Sequence, residues 1–255
     1  MIMVSPRIPV DMPAAMSYVA TSTDNHRRRF YMKQLAVILS ALLMICAMAG
    51  CAHKPVQEKS AQELADEGTR YFDKGRYKKS IEAFENLRDW YPFSKLTTLA
   101  DLKVADAYFN MEEYESAVSA YENFERLHPR HESVPFVIFR TGLCHFNRLD
   151  TIDRDQTPAH RAIDAFSRLV RAYPDSEYAS QATDYIHQCR ESLAAHELYV
   201  AKFYFKTKRY RSALYRFKQI IEKYPDVGDI ETARRHIPLC EEGLAEMEKE
   251  ESKND

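Results

Sequence analysis

Residues 201–225, AKFYFKTKRYRSALYRFKQIIEKYP, contain the pattern that decides the fold. A small residue, Ala201, is followed three positions later by Tyr204, and a second small residue, Ala213, is followed four positions later by Phe217. Both spacings place their two residues on one face of a helix. Pro225 closes the segment, because a proline disfavours helical backbone in the residue before it. The segment therefore predicts two helices joined by a short turn.

The same spacing recurs earlier in the chain. The matching positions are Gly68, Tyr71, Tyr77, Ser80, Phe84, Leu87 and Pro92, and then Ala105, Tyr108, Tyr114, Ala117, Tyr121, Phe124 and Pro129. A further copy, ending at Pro174, matches after an inserted loop at about residues 147–157; its first helix contains Gly142 and its second contains Ala162 and Phe166. This pattern is typical of the tetratricopeptide repeat (TPR), whose helix pairs stack into a superhelix with a groove.

The fold we predict is an all-α TPR solenoid of about five helix-turn-helix repeats within residues 60–249. The repeats are expected near residues 61–94, 95–131, 134–176 and 194–227, followed by a partial repeat at 229–249 and a flexible tail at 250–255. Ser60 and Glu63 have the spacing of a capping box at the first helix. Residues 176–206 contain neither Pro nor Gly, so they predict one long helix or two abutting helices.

Composition excludes several classes of protein. The chain has 6 glycines in 255 residues, well below the usual share of about 7%. Phosphate-binding loops and tight hairpins need glycine, because only glycine adopts positive φ freely. The 36 basic and 38 acidic residues give a net charge of -2, which does not favour a nucleic-acid binder. A mean hydropathy of -0.51 excludes a protein with many membrane spans.

The first fifty residues predict export rather than a folded domain. Residues 35–49 are uncharged and apolar, too short for a comfortable membrane span of about 20 residues. They follow Lys33 and end in small residues, so residues 32–50 have the organisation of a signal peptide. Met48-Ala49-Gly50-Cys51 resembles a bacterial lipobox, with Met where Leu is usual. We expect Cys51 to be acylated; the alternative is an uncleaved anchor with an incidental cysteine.

The segments beside the signal complete this assignment. Residues 1–31 are expected to be a mis-assigned start or an extension, although Arg27-Arg28-Arg29-Phe30 also resembles a twin-arginine export motif. Residues 51–59 are polar and predict a lipidated tether. Ala52 follows the cysteine, and the absence of Asp there predicts sorting to the outer membrane. We therefore expect a lipid-anchored protein on the periplasmic face of that membrane.

The first helices of the repeats carry an aromatic stripe. One equivalent position is occupied by Phe72, Phe109, Phe146 and Phe205, and Leu102, Phe136 and Phe139, with Leu99 and Leu143, project to the same side. The stripe predicts a groove that receives an extended peptide rich in aromatic side chains. The alternative is that these rings pack between adjacent helices as ordinary core.

Catalytic and metal-binding patterns are weak. The cysteines that follow Cys51 are Cys144, Cys189 and Cys240, and they lack the spacing of a zinc site. Either Cys144 and Cys189 pair in an oxidising compartment, or all three are buried free thiols. His128 and His131 have no ligand partners nearby in sequence, and Asp150, Asp153 and Asp155 fail the EF-hand pattern. We expect no enzyme activity, no metal and no cofactor.

Several short sequence segments resemble those of the BamD family of lipoproteins, which act in the outer-membrane β-barrel assembly machinery. They are Tyr91-Pro92-Phe93, Asp153-Arg154-Asp155, His160-Arg161-Ala162, Ala165-Phe166 and the stretch from Leu169 to Tyr178, LVRAYPDSEY. The resemblance covers residues 51–245. It implies a non-catalytic TPR scaffold whose C-terminal repeats dock on the POTRA domains of the barrel protein BamA, beside other Bam lipoproteins.

The resemblance also implies residue roles. The N-terminal repeats would receive the C-terminal signal of unfolded outer-membrane β-barrel proteins, which ends in an aromatic residue. An arginine in the second helix of the fourth repeat is tied to BamA coupling in the family, and Arg216 matches it, near Arg209 and Arg211. The alternative for these arginines is a solvated helix face. The competing functions are a different periplasmic TPR adaptor for cell division or Tol–Pal, and a lipoprotein that presents substrates to a protease.

Overall fold

The computed structural model describes Phe30, residues 32–35 and residues 59–254, including their side chains up to residue 253. Phe30 and residues 32–35 are helical and belong to a separate unit that spans residues 1–58. The second unit, from Lys59 onward, is helical throughout its described elements. Its helices are α1 (Ala61–Asp73), α2 (Tyr77–Trp90), α3 (Thr97–Asn110), α4 (Tyr114–Leu127), α5 (Val134–Phe146), α6 (Thr157–Ala172), α7 (Ala179–Lys206), α8 (Tyr210–Lys223) and α9 (Ile230–Asn254).

The helices pack as the repeat pattern predicts. Each one packs against its neighbour in sequence, and first helices of adjacent repeats also touch, α1 against α3 and α5 against α7. The protein is therefore a TPR solenoid. Residues 179–206 form one continuous helix, which settles the open alternative for that segment. The last helix contains Pro238 and continues to Asn254, past the predicted end at residue 249.

The small residues of the pattern give aromatic rings room to pack. A Cβ atom at Gly68 would lie 2.8 Å from the Phe84 ring, and one at Gly142 would lie 2.4 Å from the Phe166 ring. Such distances are shorter than van der Waals contact, so each glycine lets two helices approach closely. In the other two repeats alanine takes this position, and Ala105 with Tyr121 and Ala201 with Phe217 share buried clusters.

Capping residues fix where helices begin. Ser60 and Glu63 form the complete capping box at α1, with each side chain bonded to the other residue's backbone. The inserted loop lies between α5 and α6, and the carboxylate of Asp155 accepts hydrogen bonds from the N–H and the hydroxyl of Thr157. Asp229 accepts a 3.0 Å hydrogen bond from the N–H of Thr232 and caps α9.

The turns between repeats share one geometry. Each contains the predicted proline and is closed by a backbone hydrogen bond across it. The bonds run from Ser94 N to Tyr91 O (2.9 Å), His131 N to His128 O (3.0 Å), Ser176 N to Tyr173 O (3.1 Å) and Val227 N to Tyr224 O (3.3 Å). Residues at corresponding places in these four turns can therefore be compared directly.

Candidate functional site

The aromatic stripe lies where each first helix turns into the second. Phe72 packs edge-on against Tyr77 with ring centroids 5.4 Å apart, and Phe109 meets Tyr114 in the same way at 5.6 Å. Phe205 repeats this arrangement with Tyr210 at 5.7 Å. In these three repeats the tyrosine that opens the second helix therefore holds the phenylalanine of the first helix in a fixed orientation.

A residue from the next first helix covers each of these rings. Lys103 Nζ lies 4.4 Å from the centroid of Phe72, and Arg140 Cζ lies 3.5 Å from that of Phe109. The ring of Phe146 meets Tyr185 at 4.7 Å, and that of Phe205 meets His236 at 5.1 Å. All four phenylalanines are half-buried. One side of each ring is thus packed between helices, and part of its surface stays accessible to a ligand.

Arg140 is held by a polar network as well as by the ring beneath it. The hydroxyl of Tyr121 donates to Asp106 Oδ1 over 2.6 Å, and Arg140 Nε donates to the Tyr121 oxygen over 3.0 Å. Burial raises the pKa of Asp106 and that of Tyr121. The guanidinium also lies 5.6 Å from the ring of Phe136. An arginine has five N–H donors, so this held guanidinium has donors left for a ligand.

Sequence reasoning missed Arg140 and Lys103. Both lie two positions before the small residue of their repeat, Gly142 and Ala105 respectively, so they occupy equivalent places on α5 and α3. That offset is the signal that could have found them. We call the surface formed by Phe72, Lys103, Phe109, Phe136 and Arg140 the first-helix groove.

The remaining groove candidates, Phe139 and Leu102, differ in how deeply they are buried. Phe139 is 6% exposed, stacks on Tyr178 at 5.2 Å and meets Phe166 at 5.7 Å. It is a core residue, so an incoming peptide would not reach it. Leu102 packs half-buried against the cluster around Tyr121. For Phe139 the packing alternative describes the structure, whereas Leu102 is half-buried like Phe109 and Phe136 and stays a groove candidate.

The predicted arginines lie just before α8 and in its first half. Arg216 Nη1 forms a 2.6 Å salt bridge with Glu197 Oε2 of α7, and its Cζ lies 5.6 Å from the ring of Tyr204. Arg209 lies 6.0 Å from the same ring. Arg211 is exposed. Arg216 therefore joins α8 to α7, and it reaches solvent only in part.

Exposed aromatic side chains flank these arginines in sequence, and the sequence reasoning did not single them out. They are Tyr199 and Phe203, one turn apart on α7, and Tyr215 on α8, and each is at least half exposed. Exposed aromatic and arginine side chains are enriched where proteins meet partners. The α7–α8 surface thus has the composition of an interaction site.

The described residues contain no cluster of His, Cys, Asp and Glu able to hold a metal ion. Cys144, Cys189 and Cys240 are free and buried, which agrees with the buried-thiol alternative. Burial raises the pKa of the Cys144 and Cys189 thiols to about 12, so neither forms a nucleophilic thiolate near neutral pH.

A cleft of about 1170 Å³ lies apart from the groove, between α4 and α6. The side chain of His145 lines it and is buried, and burial lowers its pKa. The rim combines basic residues such as Arg161 with acidic residues such as Glu122, so its charges balance. This mixture does not favour a ligand of either sign.

The predicted lipidation at Cys51 and the signal at 32–50 lie outside the described residues, apart from the helical residues 32–35. Among the helices described, none is long and apolar enough to cross a membrane.

Comparison with known proteins gives consistent matches. The sequence profile of YfiO, described as an outer membrane lipoprotein, matches residues 57–253. An outer membrane protein assembly factor BamD from Neisseria gonorrhoeae is 31% identical over 81% of this chain and 82% of its own length. The protein of the same name from Vibrio cholerae is 28% identical over 82% of this chain and 90% of its own. A solved TPR2AB domain of yeast Sti1 is 12% identical, covers 65% of this chain and 64% of its own, and has a TM-score of 0.45.

Proposed function

The chain belongs to the YfiO family of outer membrane lipoproteins, and from this premise we propose that it is a non-catalytic assembly factor for outer-membrane β-barrel proteins. It acts at the periplasmic face of the outer membrane, anchored through acylated Cys51. It binds unfolded barrel proteins through the first-helix groove. Its C-terminal repeats bind the POTRA domains of BamA, next to other Bam lipoproteins.

The observation that carries the substrate proposal is the held guanidinium of Arg140. It lies over Phe109, close to Phe136, and one repeat away Lys103 covers Phe72 in the same manner. A chain end with an aromatic last residue offers both a ring and a carboxylate. Arginine binds carboxylates in a bidentate fork, and the half-buried phenylalanines supply apolar surface for the ring. The groove thus offers such a chain end an apolar surface and a guanidinium, whose Nη2 also lies 3.8 Å from Asp106 Oδ1.

The position of Arg140 is set before a ligand arrives. Its Nε donates a hydrogen bond to the Tyr121 oxygen, and its Cζ lies 3.5 Å from the centroid of the Phe109 ring. Its side chain is 19% exposed, so little conformational freedom remains to be lost on binding. Preorganisation of this kind lowers the entropic cost of association.

Anisotropy of a fluorescent peptide tests the groove. The peptide is the C-terminal segment of an outer-membrane barrel protein with a free carboxylate, and its amide is the paired ligand. We expect Arg140→Lys to weaken binding by about 10-fold, because lysine keeps the charge and loses the fork. Wild type is expected to bind the amide about as weakly as the Arg140→Lys variant binds the free acid.

Arg148→Lys is the matched control, because Arg148 lies just beyond the same helix, pairs with Glu115 and lines the separate cleft. It is expected to leave binding unchanged. The groove is not the binding site if two results occur together. The Arg140→Lys variant would bind the free acid as tightly as wild type does, and wild type would bind the amide as tightly as the free acid.

The α7–α8 surface supports the second part of the proposal. Arg216 and Arg209 converge on Tyr204, and Tyr199, Phe203 and Tyr215 are exposed. Basic residues steer an acidic partner to the surface, and aromatic side chains supply burial energy once it docks. An acidic face of a POTRA domain has the chemistry to match.

Two binding surfaces on one anchored chain explain how the factor works without chemistry. The anchor confines the protein near BamA and raises the effective concentration of each partner. Micromolar binding of the client, about -8 kcal/mol, is then strong enough to hold it and weak enough to release it.

A further inference from the structure

One turn between repeats differs from the others in what it exposes. Phe93, in the turn closed by Tyr91 and Ser94, is 100% exposed, and Trp90, just before that turn, is 51% exposed. The corresponding turns carry charged residues at the place of Phe93, namely Arg130, Asp175 and Asp226. The repeat fold therefore does not need an aromatic residue there, and packing does not explain one.

This turn lies beside the point where the chain enters the domain. The hydroxyl of Tyr91 donates to the carbonyl oxygen of Lys59 over 2.8 Å. Lys59 begins the second unit, and Cys51 precedes it by eight positions in the sequence. Eight extended residues span at most roughly 26–29 Å. If Cys51 is acylated, the turn is thus held within about that distance of the bilayer.

The side chains at this turn suit the boundary between lipid and water. Tryptophan is enriched at membrane interfaces, because its ring is apolar and its N–H remains able to bond to headgroups or water. Phe93 projects fully from the turn, and Lys95, exposed two positions later, offers a positive charge to anionic headgroups.

We propose that Trp90 and Phe93 form a second contact with the lipid surface, beside the acyl anchor. This inference rests on the proposed acylation of Cys51. The aromatic turn inserts into the headgroup region and fixes the orientation of the first repeat relative to the bilayer. An acyl anchor and a second membrane contact near it hold a protein more firmly and in a more defined orientation than a flexible tether alone.

Trp90 is the single tryptophan of the chain, so its fluorescence reports on this turn alone. The mature protein, purified from detergent-solubilised membranes with whatever modification Cys51 carries, is placed in vesicles of phosphatidylethanolamine and phosphatidylglycerol, with and without brominated acyl chains. We expect the emission of Trp90 to shift to shorter wavelength and to fall at least about twofold in brominated vesicles, as for interfacial tryptophan.

Two variants provide the controls. Trp90→Phe combined with Tyr215→Trp moves the reporter to an exposed site on α8, where we expect no quenching by brominated lipid. Phe93→Asp should reduce the quenching of Trp90. It should leave the fold intact, because Asp175 and Asp226 occupy the same place in other turns.

Flotation of the vesicles distinguishes a missing acyl anchor from a missing lipid contact at Trp90 and Phe93. If the protein floats and Trp90 is quenched no more than the reporter at position 215, the lipid contact is wrong while the anchor stands. If the protein does not float with the vesicles, the acyl anchor is absent and both the anchor and the lipid contact are refuted. Quenching of Trp90 that Phe93→Asp fails to reduce would also exclude Phe93 from the contact.

Discussion

At the scale of single residues, glycines in the first helices allow close packing against the second helices. A Cβ atom at Gly142 would lie 2.4 Å from Phe166 Cε1. We expect Gly142→Ala to lower the free energy of unfolding by about 1–3 kcal/mol, because the ring must leave its position. Urea denaturation measures the change. In a Phe166→Leu background, Gly142→Ala should reduce the free energy of unfolding by less. An unchanged stability of the Gly142→Ala variant alone would contradict the close packing of Gly142 against Phe166.

The turn inside each helix pair makes a second residue-scale test. Gly75, Glu112 and Lys208 occupy equivalent turns and all have positive φ, with values of 67°, 60° and 58°. This backbone conformation strains residues that carry a Cβ atom.

We expect Lys208→Gly to raise the free energy of unfolding by about 0.5–1 kcal/mol, because the relief of strain exceeds the added freedom of the unfolded chain. Lys202→Gly, at an exposed position inside α7, should lower it by about 1 kcal/mol. Thermal unfolding of the two variants compares them. A loss of stability in both would show that the positive φ carries no strain.

Residues that act within one repeat could be predicted from the sequence, and residues that act between repeats could not. The pairing of Gly68 with Phe84 follows from a spacing of 16 positions within one helix pair. Arg140 reaches back to Phe109 on the preceding first helix, and this contact depends on how two repeats are stacked. Phe139 failed as a groove residue for the same reason, because α7 places Tyr178 and Tyr185 against it.

At the scale of helices, the polar network around Asp106 joins α3, α4 and α5. Burial raises the pKa of Asp106, so the folded protein binds its proton more tightly than the unfolded chain does. The stability from this group is fully present below the unfolded-state pKa of about 3.9, and it is lost as pH rises through the raised pKa of the folded state.

Asp106→Asn removes this titration and keeps an acceptor for Tyr121. The stability of wild type relative to the variant should therefore be greatest near about pH 3 and should fall as pH approaches about 7. Urea titrations across this range give the difference. A difference that grows with pH would mean that the nearby charge of Arg140 outweighs burial.

Arg216, at the junction of α7 and α8, could stabilise the fold through its salt bridge or could bind a partner. Reversing the pair with Glu197→Arg and Arg216→Glu separates the two roles. We expect Arg216→Glu alone to cost about 0.2–1 kcal/mol, since the pair is about one-third exposed, and the double variant to recover that loss.

Partner binding is expected to respond differently. If the charge at position 216 meets an acidic partner, the double variant stays as deficient in co-purification as the single variant. Recovery of the partner together with stability would limit Arg216 to an internal role.

At the scale of the whole molecule, sequence periodicity predicted the repeats and their turns, because a repeat fold is built from contacts between neighbours. It left open whether residues 176–206 form one long helix or two abutting helices, because they contain no Pro or Gly to mark a boundary. The family match extends over residues 57–253, which is almost the whole second unit. We thus propose a single scaffold with two binding surfaces and no catalytic activity.

The most direct test of this scaffold is affinity purification of the C-terminally tagged protein from detergent-solubilised outer membranes, with mass spectrometry of its partners. We expect a stoichiometric barrel protein with POTRA domains, and reduced recovery of it with Arg216→Glu. Recovery of Tol–Pal components or of a protease, with no such barrel protein, would contradict the assembly-factor account.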